Sequence, residues 1–248
     1  MPVSVSKKAS KIRFSTMKLT FRDLLLFLLI VVLFLPFFLS QPLYEAYHGF
    51  NARHAVFLGG IKFAVLSTIG EVIALRIRTG SYVGLKGFGV LPRMVVWFFL
   101  GAWIVMAMRI FGAGAPLLAD YVFGADGRII EAMKGGVSGY KLVGAFFISL
   151  LQNTAFAPVF MTLHKITDTH IMNCGGSLRA FCTPMRVGDI MAGMNWRVQW
   201  SFVFKKTIPF FWIPAHTVTF MLPGEYQVLF AAFLGIVLGV ILAFAANK

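Results

Sequence analysis

Residues 24–43 read LLLFLLIVVLFLPFFLSQPL, a run without a single charge. An α-helix needs roughly 20 mostly apolar residues to cross about 30 Å of hydrocarbon, and this stretch supplies them. The rest of the chain has the same character. Of 248 residues, 58% are hydrophobic and only 13% charged, Phe alone occurs 27 times, and mean hydropathy is +0.81. A soluble domain of this length covers its core with far more charge. The chain therefore reads as all-α: a multi-span transmembrane helical bundle forming one domain over 24–248, preceded by a basic N-terminal arm over 1–23.

Three further segments qualify as spans outright: 91–111, 142–163 and 226–246. Two more carry charges. The segment 55–77 contains Lys62, Glu71 and Arg76, and 200–222 contains Lys205, Lys206, two prolines and His216. Six candidate spans result. Counting all six places the Lys and Arg residues of 7–22, 76–93 and 165–197 on one side. The opposite loops hold Arg53, Arg128, Lys134 and Lys141 beside five acids. That asymmetry puts both termini on the positive side of the membrane. Four spans with two interfacial segments is the alternative count.

Net charge is +14, from 23 Lys and Arg against 9 Asp and Glu. The chain carries no groove-reading or base-stacking module, so nucleic acid is excluded as a partner. In a membrane protein such an excess reports orientation and contact with anionic lipid. The arm concentrates it: Lys7, Lys8, Lys11, Arg13 and Lys18, with Phe14 among them, are the expected contacts to lipid or to other membrane protein subunits. Its Ser-rich, basic composition is similar to a mitochondrial targeting segment. Cys174 and Cys182 lack any CxxC spacing, which supports neither a zinc site nor a redox motif.

Polar groups inside spans are costly and face other helices or water. Gly60, Ala64, Ser67, Glu71 and Arg78 fall near one helical face, where small residues allow close approach. Lys62 lies about 180° round that helix from Glu71, so Glu71 needs a partner from another span, with Arg93 and Arg109 as candidates. Gln152 and Asn153 offer hydrogen bonds inside another span, and Pro158 frees a carbonyl one turn earlier. His164 and Asp168 are four apart on one face, with His170 following. Three such ligands without a fixed framework do not define a metal centre, so neither metal nor cofactor is expected. No nucleophile elbow, phosphate loop, HExxH or haem-attachment motif occurs, and no enzyme activity is expected.

Residues 211–230, FWIPAHTVTFMLPGEYQVLF, interrupt an apolar run with Pro214, His216, Pro223 and Glu225. Trp212 and Pro214, His216, Thr219-Phe220, Leu222-Pro223 and Gln227 ahead of Val228-Leu229-Phe230 resemble the C-terminal signature of the Mpv/PMP family. That family comprises the twenty-two-kilodalton peroxisomal membrane protein and its mitochondrial inner-membrane relatives. The signature runs Trp-Pro, Gln, Asn-Phe, Val-Pro and then Arg before an aliphatic run. Here His216 stands at the Gln place, Thr219 at the Asn place and Gln227 at the Arg place. Ala157-Pro158, Leu163-His164 and Thr167-Asp168 echo the family's Gly-Pro, Trp-Tyr and Leu-Asp, and Gly70-Glu71 echoes its Gly-Asp.

The resemblance covers roughly residues 45–245 and implies a helical inner-membrane protein, usually pictured with four spans. Relatives are proposed to be weakly selective channels. Two expectations follow. One is an accessory, structural subunit of a larger mitochondrial inner-membrane complex, built on a channel-family fold. The other is a weakly selective pore or transporter for small solutes, and a bacterial cytoplasmic membrane is the alternative location. The pore or buried polar candidates are Glu71, Asn153, Pro158, Asp168, Pro214, His216, Pro223 and Gln227. Pro214 and Pro223 bracket a short helix that either lines a cavity or packs with Trp212 and Tyr226 as interface anchors.

Overall fold

The computed structural model describes residues 19–82 and 86–245, with side chains as far as 242. The basic arm contacts expected at Lys7, Lys8, Lys11, Arg13, Phe14 and Lys18 lie outside the described residues.

Among the described residues the chain is helical throughout, with no strand. α1 (Phe21–Leu39) breaks at Ser40, whose side chain caps α2 (Gln41–Arg53) by accepting from Leu43 N. α3 (Ala55–Thr79) ends on Gly80 in the left-handed conformation, and α4 (Val90–Phe123) runs 34 residues. A short α5 (Arg128–Ala132) leads to α6 (Gly139–Leu151), a π-helical turn Gln152–Phe156, and α7 (Ala157–Asn173). A 3-10 turn (Leu178–Cys182) and the short α8 (Val187–Ala192) and α9 (Trp196–Val198) follow. The π-helical segment Gln199–Trp212 then passes into α10 (Ile213–Met221), and α11 (Gly224–Ala245) closes the chain.

Among the described residues, five helices are long and apolar enough to cross a membrane: Phe21–Leu39, Ala55–Thr79, Val90–Phe123, the continuous Gly139–Asn173, and Gly224–Leu242. The charged candidate 55–77 is among them. The candidate 200–222 is not, because Lys205, Lys206, two prolines and His216 dilute its hydropathy. Its two ends nevertheless lie at opposite ends of the bundle. Ile190 and Gly193, before it, share a surface pocket with Thr169 and Asn173 at the end of α7. Glu225, just after it, bonds His48 on α2 at 2.6 Å. The segment thus traverses the bundle with a more polar composition than its neighbours.

The spans also begin and end differently from their hydrophobic runs. Asp23, assigned to the arm from sequence, belongs to α1. It accepts from Thr20 N at 2.7 Å in a capping box and holds Arg76 of α3 at 2.9 Å. That ion pair ties down a helix none of whose own residues is buried.

At the centre, α3 packs on α4 and α11. The approach is close because glycines line it: a Cβ at Gly60 would meet Phe98 O at 2.8 Å, and one at Gly70 would meet Ile236 Cα at 3.0 Å. Small residues let backbones approach where lipid offers no hydrophobic drive to associate. Phe63 and Leu66 of α3, Met108 and Ala115 of α4, Ala145 and Ile148 of α6, Phe220 of α10 and Ala231 of α11 form one core. At the far end, Gly87 (φ +84°) and Gly89 (φ +65°) bring the turn before α4 against the backbone of Gly176 (φ +71°). Only a residue without a side chain tolerates both that conformation and that contact.

Candidate functional site

Arg93 in the first turn of α4 is 5% exposed, and its guanidinium joins three helices. Nη1 lies 2.6 Å from Glu71 Oε2 on α3 and 2.7 Å from Asp168 Oδ1 on α7, while Nε donates to Phe88 O at 2.6 Å. The other Glu71 oxygen accepts from Trp97 Nε1 at 3.1 Å and lies 3.1 Å from His164 Nε2. His164 Nε2 is 3.6 Å from Asp168 Oδ1, close enough for Coulomb attraction but long for a hydrogen bond. Helical spacing builds the cluster: Arg93 and Trp97 are one turn apart on α4, as are His164 and Asp168 on α7. Of the two partners expected for Glu71, Arg93 is the one that pairs with it. Arg109 lines a pocket at the opposite end with His48 and Glu225. Lys62, on the other side of α3, donates to Asn51 on α2 at 2.8 Å.

The ligand atoms of Glu71, His164 and Asp168 lie within 4.8 Å of one another, a spacing that suits a metal ion. The Arg93 guanidinium already lies between the two carboxylates, so the arrangement is an ion-pair network. The sequence trio His164, Asp168 and His170 is not brought together. His170 turns away, with Nε2 2.9 Å from Ala180 O.

Beside this cluster lies a cavity of about 370 Å³, reached by α3, α4, α7, α10, α11 and both π-helical segments. The π-helical turns have a local cause. A proline inside a helix lacks an N–H and clashes with the carbonyl four residues back; a wider turn relieves the clash. Pro158 follows the first π turn, Pro209 lies within the second, and Pro214 follows it. Hydroxyls serve backbone carbonyls of these distorted turns. Ile213 O accepts from Ser149 Oγ at 2.7 Å and Thr217 Oγ1 at 2.8 Å, and Leu150 O accepts from Thr154 Oγ1 at 2.7 Å. Irregular helix at membrane depth is tolerated where it is buried in protein or lines a cavity, and here both conditions are met.

Glu71, Asn153 and His216 line this cavity. Asn153, 2% exposed, donates Nδ2 to Ser149 O at 2.8 Å and lies 3.1 Å from His216 Nδ1. Because an amide nitrogen cannot accept, His216 Nδ1 is the acceptor and its proton resides on Nε2. Two other lining residues carry buried polar atoms with no partner among the described residues: Gln152 Oε1 and Trp212 Nε1. Gln199, 7% exposed, lines the cavity as well.

The other residues singled out from sequence fall elsewhere. Pro158 and Pro214 shape the cavity's backbone, and Asp168 lies behind it on Arg93. Pro223 occupies the turn before α11, and Gln227 donates to Leu222 O at 2.9 Å beside a separate pocket at the opposite end. Trp212, an interface anchor in one of the two readings of this helix, turns its N–H into the protein. Trp97 and Gln199 were not singled out from the sequence, whereas Gln152 and His164 were, as polar groups of one span. The helical repeat from Arg93 to Trp97 was the available signal for one of them. Gln199, in a distant segment, had none.

No family model matches the chain, and neither a curated protein nor a solved structure matches it significantly. What the fold and site define is a class: a helical membrane protein with a mostly apolar cavity between its helices, into which a few polar residues are set.

Proposed function

We propose that the protein admits small solutes into, and across, the membrane through the cavity between its helices, as a weakly selective pore or transporter. The observation that carries this reading is the cavity's lining. Polar side chains from four separate segments line the cavity at membrane depth, and two of the lining residues, Gln152 and Trp212, carry buried polar atoms without a partner among the described residues. Unpaired buried polar groups cost about 1–3 kcal/mol each. A merely structural helix kink gives no reason to retain two of them around one cavity. The remote likeness to the Mpv/PMP family agrees with this reading, and with it a mitochondrial inner-membrane location, a bacterial cytoplasmic membrane being the alternative.

The test is flux. Purified wild-type protein in liposomes should pass small uncharged solutes in a swelling assay, and Glu71→Gln and His216→Ala should change the rate several-fold while the protein stays folded. Wild-type liposomes no more permeable than empty ones would sink the proposal.

The accessory-subunit expectation rests on the basic arm and on the exchanged signature residues, and on no feature of the cavity. Deleting residues 2–18 tests it independently. Release of the truncated protein from a larger assembly on a native gel would support it, and unchanged migration would remove it.

A further inference from the structure

We infer that the cavity seats a single-chain lipid anion, its hydrocarbon tail lying along the helices and its carboxylate meeting Lys165. The seat is the same cavity as in the passage reading, and binding there does not require passage.

The lining selects the tail. Phe63, Ile104, Phe202, Val203, Leu238 and Leu242 bring apolar surface to the cavity from four elements. Its one carboxylate, Glu71, is already held by Arg93, Trp97 and His164. Water finds few partners on such a surface, whereas hydrocarbon is at home there.

Length narrows the choice. The lining runs from Phe63 to Ala74 on α3 and from Ala231 to Leu242 on α11. At 1.5 Å per residue each stripe is about 16 Å long. Half of the roughly 30 Å hydrocarbon core, the depth of one leaflet, is about 15 Å. The two stripes are in register, since a Cβ at Gly239 would lie 3.7 Å from Ala74 Cβ. A cavity of about 370 Å³ drawn out over that length admits one chain and not two.

Charge fixes the head. His164, 3.1 Å from Glu71, places the next residue, Lys165, at the Ala74 end of the slot. Lys165 lines the cavity, is exposed, and forms no ion pair among the described residues. The carboxylates nearest it, Glu71 and Asp168, both lie on Arg93, so Lys165 is the cation left to receive an anion. It sits eight residues before the end of α7 at Asn173, about 12 Å along the helix. Its long stem carries the ammonium from there towards the headgroup level, where a chain filling the slot ends.

Dodecanoate is the probe. Radiolabelled dodecanoate should bind the full-length protein in lipid nanodiscs saturably, above the level of empty discs. Dodecanol, with the chain but no charge, and butyrate, with the charge but little chain, should each compete at least about tenfold less well. Tenfold is roughly the worth of one charge-assisted hydrogen bond. Lys165→Met should weaken dodecanoate about tenfold and leave dodecanol unchanged, while Lys165→Arg retains most of the affinity. Gly235→Leu fills the slot from α11, where an added Cβ meets nothing nearer than Ser67 Oγ at 3.9 Å. It should weaken dodecanoate and dodecanol alike. No saturable binding, parity of dodecanol or butyrate with dodecanoate, or wild-type affinity in Lys165→Met would each overturn the inference. Flux in liposomes without dodecanoate binding would keep the passage reading and remove this one. Dodecanoate binding without flux would do the reverse.

Discussion

Arg93 on α4 holds Glu71 on α3 through a contact of 2.6 Å, with the arginine 5% exposed between the helices near one end of the bundle. The same nitrogen reaches Asp168 on α7 at 2.7 Å. One guanidinium therefore sets the relative position of three helices and forms the polar floor beside the cavity.

Removing that guanidinium should be severe. Arg93→Met leaves two carboxylates without their cation, and breaking a buried pair from one side costs about 3–5 kcal/mol. Thermal unfolding in detergent should show the loss. Adding Glu71→Gln to Arg93→Met should recover part of it, because one stranded charge is removed. A double variant no more stable than Arg93→Met would refute the coupling.

Topology offers a direct check. Cys182 is exposed in the segment after α7, and Ser138 is exposed in the turn before α6. The continuous helix Gly139–Asn173 separates them and is long enough to cross a bilayer. Cys182, in a Cys174→Ser background, and Ser138→Cys, with both native cysteines replaced, should react with an impermeant thiol reagent from opposite sides of sealed vesicles. Labelling from the same side contradicts the fold.

Close approach of α3 and α4 predicts an asymmetry between glycines. Gly60→Ala places a Cβ 2.8 Å from the Phe98 carbonyl, a backbone atom that cannot swing aside. The expected loss is about 1–3 kcal/mol, as for other overpacked interiors. Gly112→Ala on α4, where nothing lies within 4 Å, should be neutral or stabilising by up to about 1 kcal/mol. Equal melting temperatures for the two variants would argue against the packing described.

Tyr82, beyond the end of α3, should titrate late. Desolvation, together with its 2.7 Å hydrogen bond to Asp23, pushes the phenol up to about 12. A raised folded value means that the stabilisation from this group is complete below its ordinary value of about 10 and is lost as pH rises through about 12. Tyrosinate absorbance should lose its latest-titrating component in Tyr82→Phe. A difference spectrum centred near pH 10 would show that the bond to Asp23 does not form.

The membrane environment and the helical class were legible in the sequence because both depend on composition and on run length. The 24–43 run alone meets the hydrocarbon's requirement, and no neighbour is needed to read it. That Glu71 required a partner from another span was also legible, since helical spacing turns Lys62 away from it. Which arginine answers it was not. Arg93 and Arg109 are alike in sequence, and only the packing of α3, α4 and α7 brings one of them to 2.6 Å. Pro158 and Pro214 announced broken helices, but the break took the form of π turns set by what the neighbours could satisfy. Gln152 and Gln199 show the boundary most clearly. Gln152 could be read as a polar group inside a span, but nothing local marks Gln199, forty-seven positions away, and both line one cavity only through long-range packing. Local pattern governs how a segment folds and which solvent it prefers. Convergence of side chains from distant segments depends on tertiary geometry, where a displacement of about 1 Å makes or removes a hydrogen bond.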